Sequence, residues 1–291
     1  MKILVIGHEG YVGAGLANFL RLKHNIIGWN RQQDICALTH ELINDLDINA
    51  VINCAAVIDR KNKNISIDSL SDYVNVRGAQ ALVEALRNTK IPLIHISTKD
   101  VFGNVYTLND VVENTHGYRP RILIDESHPF LPNSAYGKSK LIAEYIVEDY
   151  PKTVILRLST CYTDLYHHKG SWVVNFAKSL LKRKAITVTR NGKQFRDLLH
   201  VNDLGRLIET ILDRNIYGLK LNVGGGLNNI YSLLEVIHML DPNPKVIQSL
   251  QGGDYGFAFN NQMAQNTCQW EPTIKFNDRV ELILKNVSRH I

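Results

Sequence analysis

The strongest constraint on this chain lies at its start. A run from Lys2 to Ile6, apolar after its first residue, meets Gly7-His8-Glu9-Gly10-Tyr11-Val12-Gly13, and a helical stretch follows from Ala14 to Lys23. An unbroken apolar run closed by a turn suits a strand buried on both faces. A glycine-rich turn between such a strand and a helix lets backbone N–H groups approach a pyrophosphate at the positive end of the helix. Glycines also serve tight turns and close packing, so their place after the first strand and before the first helix carries the reading. The spacing, G-x-x-G-x-x-G, differs from the G-x-G-x-x-G of two-domain dehydrogenases.

Asn25 to Gly28 reads as a second strand, ending at Trp29-Asn30-Arg31. In dinucleotide folds an acid at this strand end holds the adenosine ribose of NAD, and an arginine accommodates the extra phosphate of NADP. Asn30 with Arg31 points to NADP. Glu9, in the glycine turn, faces the same ribose and would repel a phosphate. The expected cofactor is therefore NAD(P), with the two signals opposed.

Asn49 to Asn53 and Ile91 to Ile96 are further strands, with a helix from Ser69 to Asn88 between them. Ala55 and Ala56, just past the third strand, are small enough for a cofactor to lie against the backbone. Strands alternating with helices predict a parallel, doubly wound sheet, with ligands off the carboxyl ends of its strands, where Thr98 falls.

Tyr136 and Lys140 stand four apart in a predicted helix from Ser134 to Tyr150, so both side chains face one spot. A free phenol with pKa near 10 is a poor proton carrier at neutral pH, and an adjacent cation draws it toward the working range. The same spacing also occurs on ordinary helix surface, and only the surrounding motifs separate the two readings.

With 291 residues, 45% hydrophobic and 21% charged, the chain can bury a sizeable core. A net charge of +5 mildly favours anionic ligands, and no basic block with interleaved aromatics points to nucleic acid. The four cysteines, Cys36, Cys54, Cys161 and Cys268, have no metal-ligand spacing and read as reduced thiols of a cytoplasmic protein. No metal site is expected, and no apolar stretch is long enough to cross a membrane.

Together the motifs resemble the extended short-chain dehydrogenases/reductases, within them the NAD-dependent epimerase/dehydratase family acting on nucleotide sugars. The resemblance rests on Gly7-x-x-Gly10-Tyr11-Val12-Gly13, His95-Ile-Ser-Thr98-Lys-Asp-Val-Phe-Gly103 and Tyr136-x-x-x-Lys140. It continues through Glu126-x-x-Pro129-x-x-Pro132, Arg196 to Asp203, Leu221-Asn-Val-Gly-Gly225 and Trp270-Glu-Pro272. It implies a Rossmann-type doubly wound parallel sheet, residues 1–160, with a smaller α/β C-terminal substrate lobe, residues 161–291. It implies that Tyr136 shuttles a proton to or from a sugar oxygen that Thr98 also hydrogen-bonds. Lys140 would lower the Tyr136 pKa and hold the nicotinamide ribose, while Gly7, Gly10 and Gly13 cradle the pyrophosphate. Tyr11, Val12, Asn30, Arg31, Ala55 and Ala56 complete the implied cofactor contacts, Arg196 is the candidate for the substrate phosphates, and a homodimer is a possible assembly.

The chain also departs from the family. Nucleotide-sugar 4,6-dehydratases carry Asp-Glu after the threonine for eliminating water; here Lys99-Asp100 follows Thr98. The segment Arg157-Leu-Ser-Thr160-Cys-Tyr162 is closer to 4-keto-sugar reductases such as dTDP-4-dehydrorhamnose reductase. Gln251 stands near Gly252-Gly253-Asp254, where an arginine for the substrate diphosphate is expected. The reaction expected is hydride transfer at a keto or hydroxyl carbon of a nucleotide-activated sugar, as a reductase or an epimerase. A dehydratase and a non-catalytic NAD(P) sensor are the alternatives. The stretch from Asn104 to Ile124 is long for its position; Tyr118, Arg119 and Arg121 within it are placed to reach a bound anion or simply to meet solvent. Beyond it, helices are predicted over Ser171–Lys184, Asn202–Asp213, Ile230–Leu240 and Phe276–Val287, with strands over Ala185–Thr189, Leu219–Val223 and Lys245–Ile247. His200 reads as a packed histidine.

Overall fold

The chain was analysed as a computed structural model, which describes residues 1–167 and 170–291. The first half alternates strand and helix: β1 (Lys2–Ile6), α1 (Tyr11–Leu20), β2 (Asn25–Trp29), α2 (His40–Asp45) and β3 (Ala50–Asn53). A π-helical turn, Asp72–Arg77, runs into α3 (Gly78–Leu86), and β4 (Leu93–Thr98) follows. A hairpin of β5 (Val111–Asn114) and β6 (Gly117–Pro120) precedes α4 (Ala135–Glu148) and β7 (Thr153–Leu158). The second half holds β8 (Thr160–Tyr162), α5 (Trp172–Leu181), β9 (Ile186–Val188), β10 (Phe195–His200), α6 (Val201–Arg214) and β11 (Leu219–Val223). It closes with β12 (Ile230–Ser232), α7 (Leu233–Leu240), β13 (Val246–Gln248), β14 (Gly256–Phe257), α8 (Gln262–Cys268) and α9 (Val280–Ser288).

Six strands form one parallel sheet in the order β11-β7-β4-β3-β1-β2. Its central strands are buried on both sides because both faces are covered. Leu16 and Leu20 of α1 pack with Leu204, Leu207 and Ile211 of α6 on one face. Ile43 of α2, Leu82 and Leu86 of α3, and Ala143 and Val147 of α4 cover the other. This is the doubly wound α/β arrangement expected. Strand order reverses between β1 and β3, so the crevice beyond their carboxyl ends is where such sheets take a ligand. The glycine turn after β1 and Cys54-Ala55-Ala56 after β3 both lie there.

β11 is an edge strand of this sheet, although β8, α5, β9, β10 and α6 separate it in sequence from its neighbour β7. The remaining strands form smaller sheets: β10 with β12, β14 and β8, and β9 with β13. They share a core of Val173, Val174 and Ala177 of α5 with Val236 and Ile237 of α7 and Phe276.

Three expectations need correction. The stretch Ile230–Leu240 is not one helix: Ile230–Ser232 pairs antiparallel with β10, and α7 starts at Leu233. Ser232 is the reason, since it and Glu235 form a reciprocal capping box that sets the first turn. Strands β7 and β10 fall in stretches assigned no element. Each carries charge that breaks the apolar run, Arg157 in one and Arg196 with Asp197 in the other. Helix α1 begins at Tyr11, three residues ahead of Ala14, because the glycine turn closes within its own first hydrogen bonds, Gly10 N–H to Gly7 O and Ala14 N–H to Gly10 O.

Candidate active site

The turn after β1 is built for close backbone approach. Gly7 has φ +79°, in the left-handed region, and a Cβ there would come 2.8 Å from Ala55 N. A Cβ on Gly13 would come 2.2 Å from Gly7 O. The turn thus folds against both the start of α1 and the loop after β3. Helix α1 has no side-chain cap at Gly10 and no acid in its first turn, so its first N–H groups remain for an anion. Gly13→Ala forces the turn open at an overpacking cost of about 1–3 kcal/mol. A fluorescence titration with NADH is expected to show binding weakened by at least about tenfold; unchanged affinity would show that no ligand is held at this turn.

At the edge of the crevice, Asn30 Nδ2 donates to Glu9 Oε1 at 2.9 Å. The carboxylate therefore holds the place beside the end of β2, while Arg31 is exposed and takes no partner among the described residues. The Tyr11 phenol accepts from Thr163 N–H at 3.1 Å and lies 3.1 Å from Ser171 Oγ. Burial pushes it up to about 12, and it ties α1 to the second half of the chain. Val12 packs at the margin of the core. Ala55 N–H donates to Asn53 Oδ1 at 3.1 Å, which fixes the small-residue loop.

Helix α4 starts at Ser134, whose hydroxyl accepts from Gly137 N–H at 3.2 Å. Tyr136 and Lys140 face the sheet and are 7% and 1% exposed. Burial, with the Asp100 charge, pushes the Tyr136 phenol up to about 12, against a lowering hydrogen bond from Thr98 and the Arg60 charge. Thr98, at the carboxyl end of β4, also accepts from Asp100 N–H at 3.2 Å, which leaves its own proton for the phenol side. Burial pulls Lys140 down to about 8. Its Nζ lies 2.8 Å from His95 Nε2, and burial holds that imidazole neutral, well below its ordinary range. Lys140 therefore donates to His95, whose Nδ1 lies 3.4 Å from Asn53 Nδ2.

His95 falls within the motif that runs to Gly103, which by itself assigns it no role. A signal was present: His95 and Ser97 alternate on one face of an otherwise apolar strand, and Lys140 and Glu144 lie one turn apart on α4. The two pairs meet, His95 on Lys140 and Ser97 Oγ donating to Glu144. Glu144 in turn holds Arg157, buried on β7. Arg60 was also missed; its guanidinium Cζ lies 5.2 Å from the Tyr136 ring centroid.

Asp100 is held by Arg60 Nε at 2.6 Å and Lys99 Nζ at 3.0 Å. Burial raises its carboxyl, yet the two cations outweigh that and bring it to about 2. Arg196 forms a two-point pair with Asp254, at 2.9 and 3.3 Å, and not with Asp197 or Asp203. Asp197 is buried and accepts from Gly225 and Phe259 N–H groups. Gln251 is exposed, but Arg190 reaches the same turn: its Cζ lies 3.9 Å from the Tyr255 centroid and its Nε donates to Gly253 O. His200 is packed, accepting from Asn202 N–H and lying 3.1 Å from Asp164.

The stretch from Asn104 to Ile124 is the β5–β6 hairpin and its flanks, strapped to the second half of the chain. Tyr118 N–H donates to Lys193 O at 2.8 Å, and the Tyr118 ring lies 5.3 Å from Tyr255. Arg119 pairs with Glu235, and Arg121 donates to Val111 O. Both arginines are thus engaged within the fold.

The chain is similar to several known proteins. CDP-paratose 2-epimerase of Salmonella typhi is 26% identical over 335 residues, covering 97% of this chain and 97% of that protein. The dTDP-glucose 4,6-dehydratase of Xanthomonas campestris pv. campestris (strain B100) is 27% identical over 278 residues, covering 84% of this chain and 74% of that protein. The crystal structure of UDP-glucuronic acid 4-epimerase from Bacillus cereus, in complex with UDP-glucuronic acid and NAD, shares the fold. It has a TM-score of 0.81, 23% identity and complete coverage, 100% of both chains. A profile of the NAD dependent epimerase/dehydratase family matches residues 3–224, and the chain belongs to that family.

Proposed function

We propose that the protein is an NAD-dependent epimerase acting at a hydroxyl-bearing carbon of a nucleotide-activated sugar. The observation that carries this is the hydrogen bond between Thr98 and the buried Tyr136 phenol at the carboxyl end of β4, with buried Lys140 one turn along α4 and the glycine turn at the carboxyl end of β1. Glu9 supports NAD over NADP: its carboxylate stands beside Asn30 at the end of β2, suits ribose hydroxyls and repels a phosphate. The fit of the dinucleotide rests on the close Gly7–Gly13 approach and on the uncapped first turn of α1.

When bound, NAD accepts and returns hydride at the sugar carbon. Tyr136 takes the proton from that carbon's hydroxyl and later gives it back, with Thr98 hydrogen-bonding the same oxygen. The Lys140 ammonium favours the phenolate. Elimination of water is disfavoured, since Lys99 offers no carboxylate and Asp100 is held ionised between two cations. Arg190, stacked on Tyr255, is the candidate for the substrate diphosphate; Arg196 is taken up by Asp254.

Net reduction of a 4-keto sugar uses the same three residues and is the second reading. Mixing the protein and NAD with plain nucleotide sugars, and in parallel the protein and NADH with 4-keto nucleotide sugars, separates them by product and by absorbance of the reduced cofactor. A new sugar without net NADH loss is the expected result. Stoichiometric loss with a 4-keto sugar makes it a reductase, and no reaction or binding with any nucleotide sugar overturns both.

A further inference from the structure

The loop after β3 is anchored to the catalytic helix. Ala135 N–H donates to Asn62 O at 2.7 Å and Tyr136 N–H to Asp59 O at 2.9 Å, so residues 59–62 close the start of α4. This sets Arg60 over the Tyr136 ring. Arg60 meets Asp100 through Nε alone. Its two terminal NH2 groups, the fork that pairs with a carboxylate, have no partner among the described residues, and the side chain is 57% exposed. Lys99 approaches the other oxygen of Asp100 and lies 5.0 Å from the Phe257 centroid, where β14 faces the end of β4. An ammonium has three donors, and Asp100 takes one.

The charges do not cancel. Arg60 and Lys99 are two cations against the single Asp100 carboxylate, and Tyr136 is neutral at pH 7. The next carboxylate in the loop, Asp59, is turned back onto Asn62 and Lys61 N–H. One positive charge with unused donors therefore borders the place where Thr98 and Tyr136 meet a sugar hydroxyl. A neutral sugar would need only amide or hydroxyl partners there.

We infer that the sugar taken at this site carries a carboxylate, a nucleotide-activated uronate, held by the Arg60 fork and the Lys99 ammonium. This rests on the nucleotide-sugar reading above. Calorimetric titration of the NAD-loaded protein with UDP-glucuronate and UDP-glucose, and with the dTDP-linked pair, tests it, since each pair differs only at the carboxylate. The uronate is expected to bind about tenfold tighter or more. Lys99→Gln and Arg60→Gln, tested separately, should each weaken the uronate by about tenfold and leave the neutral sugar unchanged. Arg60→Lys should recover part of the loss. NADH fluorescence equal to wild type reports that each variant is folded. Equal binding of both sugars by the wild type, or a preference that survives both glutamine variants, overturns the inference alone. Failure of every nucleotide sugar to bind while NADH still binds overturns the nucleotide-sugar reading and this inference with it.

Discussion

Tyr136→Phe should lower turnover by about 10²–10⁴-fold while leaving NADH binding at its wild-type affinity. The substitution keeps the ring that packs beneath Arg60 and removes only the hydroxyl, so the fold loses little. What it removes is the group through which a proton reaches the sugar oxygen. Burial pushes that phenol up to about 12, so at neutral pH it depends on nearby positive charge to reach the phenolate. Of the charges around the phenol, Arg60 is the cation that lowers it; in the proposed mechanism Lys140, one turn along α4, adds to this, and burial has pulled it down to about 8. A depressed lysine is charged only below its own pKa, so this support is present at pH 7 and is lost as pH rises through about 8. Turnover of the wild type should therefore fall on the alkaline side near that value, with Lys140 and not Tyr136 as its source. Activity retained by Tyr136→Phe, or an alkaline limb displaced to the range of an ordinary lysine, would place proton transfer elsewhere.

How far the sequence reveals this structure depends on what each stretch must satisfy locally. β1 and β11 read correctly to the residue, β1 as a buried apolar run closed by the glycine turn and β11 as a short stretch bounded by Gly218 and Gly224. β7 and β10 escaped notice because their polar residues are satisfied by partners remote in sequence: Arg157 by Glu144, Asp197 by the Gly225 and Phe259 backbone. Their side chains look surface-like until those partners are known. The start of α7 was legible in principle, as Ser232 and Glu235 stand at capping-box spacing, but the apolar run across Ile230 masked it. Around the candidate site, helical spacing placed Tyr136 and Lys140 on one face, and the sheet pattern placed Thr98 at a strand end. The environment that sets their chemistry was less visible. Nothing in the spacing indicates that Arg60 crosses to Tyr136, since that contact depends on the loop after β3 capping α4.

Glu144→Leu is expected to destabilise the protein by about 3–5 kcal/mol, the largest loss from any single substitution considered. Glu144 and Arg157 are each only 2% exposed at the side chain, and they meet through three contacts of 2.7 to 3.1 Å. Arg157 also lies 4.6 Å from the Phe130 centroid and 5.5 Å from that of Phe102, so it cannot swing out to water without emptying that space. Removing the carboxylate strands a guanidinium in an apolar layer and takes the acceptor from Ser97. Removing both charges is a different matter, since desolvating an ion pair offsets much of its attraction. The double variant Glu144→Leu/Arg157→Met should recover most of the lost stability, read as the urea midpoint at unchanged slope. A single variant as stable as the wild type would mean that the pair is screened by water after all. The same pair bears on the site, because Glu144 lies one turn from Lys140 and its charge raises the Lys140 pKa against burial. Glu144→Gln keeps the shape and part of the hydrogen bonding but removes that support. It should move the alkaline limb of turnover to lower pH, and a limb unmoved by this change would show that Lys140 does not set it.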